Sequence, residues 1–79
     1  MRRYFFDLTN GHGLLCDEEG AELDGIEAAR EYALRSIRDL IAADVKEGRE
    51  VDLNHYVTIR DATAKLERVR YGDAICIVE

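Results

Sequence analysis

Apolar and polar positions along the chain follow two periods, and the change between them divides it into a β region, one helix and a second β region. Residues 2–8 alternate at period two, with Tyr4, Phe6 and Leu8 on one face and Arg3, Phe5 and Asp7 on the other. The face with three apolar residues is expected to look into the core. Phe5 then lies beside two charges, and two roles stay open for it: partial cover by a neighbouring strand or tail, or a recognition contact. Thr9-Asn10-Gly11-His12-Gly13 reads as a turn, because Asn-Gly tolerates the positive φ that tight hairpin turns demand and Gly13 adds a second permissive position. Leu14-Leu15-Cys16 should pair back on the first strand. Asp17-Glu18-Glu19-Gly20 ends that return, and Ala21-Glu22-Leu23 leads into a helix.

The period then changes to three and four. Ile26, Ala29, Ala33, Ile37, Leu40 and Ile41 form an apolar stripe, with Leu34 and Val45 along one margin and Arg35, Asp39 and Lys46 opposite. Asp24 with Glu27 three residues later gives an Asp version of the capping box, Leu23 is placed as a hydrophobic staple, and Gly48 suits the left-handed position after the end. The helix is therefore expected over residues 25–47. Small Ala29 and Ala33 should let its first half lie close to a sheet. Arg30 falls inside the stripe by angle. Either its stem covers the core edge while its head reaches water, or it pairs with Asp17, Glu18 or Glu19.

Residues 55–60 alternate again, with His55, Val57 and Ile59 on one face and Tyr56, Thr58 and Arg60 on the other. Asp61-Ala62-Thr63 is read as a turn without the usual glycine. Residues 65–70 form the return strand, with Leu66 and Val69 out of strict period, which suggests a bulge or a weak edge. Tyr71-Gly72-Asp73 breaks the run. Residues 74–78 are a last strand or a tail packed over the helix end, and their β-branched residues favour the strand.

The predicted fold is α+β: a β-hairpin, one long amphipathic helix, and a second β-hairpin with an optional short last strand. The helix covers one face of an antiparallel sheet. Core candidates are Tyr4, Phe6, Leu8, Leu15, Ile26, Ala29, Ala33, Ile37, Leu40, Ile41, Val57, Ile59, Leu66 and Ile75. With 79 residues the chain is expected to make one domain over residues 1–79. The chain has no proline, so charged side chains alone would guard its sheet edges.

Charge and composition narrow the function classes. A net charge of −6 opposes a polyanionic partner, which disfavours nucleic acid without removing a local basic patch. No apolar run approaches a membrane span or a signal-peptide core. Cys16 and Cys76 do not form the framework of a secreted domain and read as small buried hydrophobes, so a cytoplasmic location is expected. A calcium loop started at Asp17 puts Glu22 where glycine is needed and Ala28 where a bidentate glutamate is needed. His12, Cys16, His55 and Cys76 are the candidate zinc ligands, and nothing in their spacing requires them to converge. Ser36 lies on a helix flank rather than a strained elbow, and no glycine-rich phosphate cradle is present. No catalytic, cofactor or metal residue is assigned, and the chain is not expected to be an enzyme.

The segments Arg3-Tyr4-Phe5-Phe6-Asp7, Asp17-Glu18-Glu19-Gly20-Ala21-Glu22-Leu23 and Ala28-Ala29-Arg30, with Ala33, Asp61 and Asp73-Ala74 later, resemble a family of small uncharacterised bacterial proteins classed as a domain of unknown function. The resemblance covers nearly the whole chain and departs at Asp61-Ala62-Thr63-Ala64, where the family has an acidic turn with glycine. It implies the architecture and carries no activity, cofactor or catalytic residue. Three functions remain as expectations. The first is a non-catalytic interaction module, homodimeric or with a protein partner, using a sheet edge or the Phe5 and Tyr56 face. The second is a nucleic-acid or regulatory module using Arg2, Arg3, Arg60, Lys65, Arg68 and Arg70. The third is a minimal metal protein or enzyme built on the histidines and cysteines.

Overall fold

The computed structural model describes residues 1–75 and has an antiparallel five-stranded sheet with one long helix against it. In chain order the elements are β1 (Arg2–Asn10), β2 (Gly13–Leu15), β3 (Ala21–Leu23), α1 (Ile26–Lys46), β4 (Tyr56–Arg60), β5 (Lys65–Arg70) and a 3-10 turn (Tyr71–Asp73). The sheet runs β2-β1-β4-β5, and β3 shares with β2 the same side of β1. β2 pairs with the end of β1, Leu8 opposite Leu15, and β3 with its start, Arg2 opposite Leu23. Ala21-Glu22-Leu23, expected to be only a lead-in to the helix, is thus a strand. Its three residues are too few to print an alternation, and only a neighbouring strand lends them one.

The core lies between α1 and the central strands. Tyr4, Ala29, Ala33, Ile37, Val57, Ile59, Val69, Tyr71 and Ala74 are buried, with Phe6, Leu8, Leu23, Ile26, Leu34, Ile41 and Val51 packed around them. Ala29 and Ala33 have no exposed surface, so the first half of the helix approaches the sheet as their size allows. Four expected core residues lie elsewhere. Leu15 is 62% exposed and Leu40 38%, because the helix covers the middle of the sheet and neither the β2 edge nor its own far flank is roofed. Leu66 is exposed at a bulge: Ile59 faces Glu67 and Arg60 faces Lys65, which leaves Leu66 as the extra residue. Ile75 is exposed, and neither it nor Ala74 is in a strand; the rest of the expected last strand lies outside the described residues.

The helix start also differs. Gly25 is the N-cap, with its carbonyl accepting the Ala29 N–H at 3.0 Å, and no side chain caps the first turn. Asp24 stands one residue too far upstream to reach the free N–H groups, so the capping box does not form. The far end is as expected, with Lys46 in the last turn and Gly48 at φ +75°. Arg30 reaches across the sheet to Glu67 on β5 at 2.5 Å instead of the acidic loop. That bond and the opposing carboxylate hold the Arg30 guanidinium above its ordinary pKa.

Candidate interaction face

Period-two alternation sends Arg3, Phe5, Asp7 and Thr9 from β1, and Tyr56, Thr58 and Arg60 from β4, to the sheet face away from α1. Leu14, opposite Thr9, and Arg68, opposite Thr58, join them. Two guanidinium groups lie flat on two aromatic rings here. Arg60 is 4.5 Å from the centroid of Phe5, and Arg68 is 4.1 Å from that of Tyr56. Phe5 is half-buried under this cover, which settles one of its two open roles. Beside the rings lies an open concavity of about 490 Å³, floored by Asp7, Thr9, Tyr56 and Thr58 and walled by Leu14 and Leu66.

One end of this face is locked by a carboxylate network. Asp7 is only 6% exposed although it points away from the helix. Its carboxylate accepts from Arg60 Nε at 2.6 Å and from the Asp17 N–H at 2.9 Å. Arg60 also donates to the Asp17 carbonyl at 2.9 Å. Asp17 itself fills the gap between β2 and β3. Its Oδ2 accepts the Phe6 N–H, and its Oδ1 accepts the Glu19 and Gly20 N–H groups, each at 3.1 Å. Burial pushes the Asp17 carboxyl up, but the N–H groups of Gly20, Phe6 and Glu19, with Arg60, together hold it below the usual carboxylate range. The loop is pressed against β1 at Gly20, where a Cβ would lie 2.7 Å from the Tyr4 carbonyl oxygen and φ is +72°.

Asp61 explains the second turn without glycine. Its Oδ1 accepts the Thr63 hydroxyl at 2.7 Å, the Thr63 N–H at 2.8 Å and the Ala64 N–H at 2.9 Å. The Thr63 hydroxyl, these two N–H groups and Arg2 lower the Asp61 carboxyl against the opposing effect of burial.

The six expected basic residues are not one patch. Arg2 is drawn to Asp61 at 3.1 Å and shares the alternation of Tyr4, so it leaves the open face. Arg3 is tied to Glu22 and to the Glu19 carbonyl, and Arg60 to Asp7. Lys65, Arg68 and Arg70 have no ion pair among the described residues. His12 is exposed at the hairpin tip, while His55 stands edge-on to Tyr71 at 5.5 Å. Among the described residues no group of three His, Cys, Asp or Glu side chains could hold a metal ion. Cys16 is exposed, not buried as expected, because it sits where the chain leaves β2; Cys76 lies outside the described residues. No described helix is long and apolar enough to cross a membrane.

Two features of this region were not read from the sequence: the ladder role of Asp17 and the exposure of Leu14. Asp17 precedes two residues whose N–H groups it caps, which is the local sign of an Asx turn. Leu14 carries no comparable sign, since its exposure depends on what β2 fails to meet.

Fold and face together define a two-layer α+β domain whose sheet is covered on one side and, among the described residues, bare on the other. The chain belongs to the family described as Domain of unknown function (DUF6894), whose model matches residues 3–71. No curated protein and no solved structure matches the chain.

Proposed function

We propose that this chain is a cytoplasmic, non-catalytic protein-interaction module that meets its partner with the open face of the sheet. The observation that carries this reading is an uncovered concavity walled by two exposed leucines, Leu14 and Leu66, on a sheet whose other side is already packed. The stacked Arg68–Tyr56 pair gives the lining a rigid, amphipathic surface of the kind that anchors interfaces, and the Arg60–Phe5 stack extends it on the same face of the sheet. The test is cross-linking of the tagged chain in cells, identification of the bound protein, and reconstitution of that complex from purified parts. Leu66→Lys should weaken the reconstituted complex at least about tenfold, which is roughly 1.4 kcal/mol, while the thermal melt of the free chain stays within a few degrees. A complex indifferent to Leu66→Lys would end this reading.

A second reading, a single-stranded nucleic-acid platform, is favoured by the same guanidinium–aromatic stacks beside Lys65 and Arg70, which bases could extend. Net charge opposes it. Fluorescence anisotropy with a labelled single-stranded oligonucleotide at low salt separates the two, and no binding there removes the second.

A further inference from the structure

We infer that β2 is a self-pairing edge, through which two copies of this chain join antiparallel about a two-fold axis at Leu14. This goes beyond the open-face reading: the second copy meets the edge of β2, Gly13–Leu15, and not the Leu66 side of the concavity.

The backbone sets the geometry. The Phe6 N–H points toward the β2 and β3 side of β1, where Asp17 takes it. Alternation then makes Leu8 with Leu15, and Asn10 with Gly13, the hydrogen-bonded pairs, and leaves Thr9 with Leu14 as the non-bonded one. The N–H and C=O of Leu14 therefore point out of the sheet. Both leucines of this three-residue strand are exposed, Leu14 by 59% on the open face and Leu15 by 62% on the helix face. A short apolar edge with an outward donor and acceptor is a template for another strand.

Charge selects which strand. Residues 8–16 carry no charged side chain in a chain that is 35% charged and has a net charge of −6. Elsewhere the edges are guarded. Glu22 lies on β3 beside Glu18 and Glu19, while β5 carries Lys65, Arg68 and Arg70, a bulge at Leu66, and Asp73 accepting the Arg70 N–H at 3.1 Å. Two equally acidic copies repel, and the β2 edge is where they can meet without bringing like charges together. An antiparallel edge is also complementary to itself, so a two-fold contact satisfies both copies alike. In that register Leu14 faces Leu14 of the second copy and exchanges both hydrogen bonds with it. Leu15 then lies beside Gly13 of the second copy, whose missing side chain leaves it room. The joined sheet has ten strands, and its open face runs through both copies.

Sedimentation equilibrium on the full chain is the primary test. A concentration-dependent monomer–dimer equilibrium is expected, with a dissociation constant below about 1 mM. Leu14→Lys and Leu14→Pro should each raise that constant at least about tenfold, the second by deleting an N–H that no ladder bond among the described residues uses. Leu66→Lys should leave it unchanged. In the Cys76→Ser variant, nitroxides on Cys16 should give a short distance by pulsed electron resonance, since the two Cys16 Cα atoms would be about 15 Å apart. A chain that stays monomeric to about 1 mM, or a dimer that survives both Leu14 substitutions, overturns the inference. A monomer that still binds another protein through Leu66 would overturn it too and leave the interaction reading standing.

Discussion

Replacing Asp17 by asparagine keeps the shape of the side chain and removes one of its two acceptor atoms. All three of its bonded neighbours are donors: Phe6 N–H on one oxygen, Glu19 and Gly20 N–H on the other. An asparagine amide can turn its oxygen to only one side, so its NH₂ faces either the Phe6 N–H or the pair from the loop. A hydrogen bond to a charged group contributes about 1.5–3 kcal/mol, and the loop is open enough for water to replace part of it, so the expected loss is about 1–2 kcal/mol. In a domain of this size each kcal/mol moves the midpoint by roughly 4–8 °C, so Asp17→Asn should melt roughly 4–16 °C below wild type at pH 7. Thermal denaturation followed by far-ultraviolet circular dichroism reads this directly. The sign with pH is fixed as well. The folded-state pKa of Asp17 is lowered, so its contribution is present above the unfolded value near 3.9 and fades as pH falls through the folded value. The gap between variant and wild type should then close in acid. A variant melting within about 2 °C of wild type at pH 7 would refute the assignment of Asp17 as the ladder partner of Phe6.

Ile37→Asp should unfold the chain, whereas Leu40→Asp should leave it folded with a modest loss, since Ile37 has no exposed surface and Leu40 is on the open flank; urea titration of both distinguishes this register from one in which the two are equally buried. Gly20→Ala should destabilise by about 2 kcal/mol or more, from the left-handed backbone and the contact with the Tyr4 carbonyl, measured by chemical denaturation. Asp61, like Asp17, has a lowered folded-state pKa, so the urea midpoint of the wild type should hold from neutrality down to about pH 4 and fall below it. Asp61→Asn should remove part of that acid sensitivity.

Much of the fold is legible because its helix and paired strands print their own periods. Ala29, Ala33 and Ile37 mark the buried line of α1, and Val57 with Ile59 marks the inner face of β4. The misses share a cause. Leu40 and Leu15 satisfy the pattern of a buried position, yet burial depends on how far the opposing layer extends. Asp24 has the chemistry of a cap, but the first helical hydrogen bond starts at Gly25, one residue later. Arg30 is visibly out of place in its stripe, and its partner Glu67 is 37 residues away, a separation no local pattern carries. Of the open face, Phe5 and Tyr56 are readable by alternation; the guanidinium groups lying on them are not.

Sequence alone therefore determined the two hairpins and the long helix between them, the helix register and the inner faces of β1 and β4. Each of these follows from backbone geometry repeating at a fixed interval along one chain. Tertiary structure decided which apolar residues stay uncovered, where Asp17 and Arg60 find their partners, and that Ala21–Leu23 is a strand at all. Those outcomes depend on the distance between residues remote in sequence, and that distance exists only once the helix has settled on the sheet.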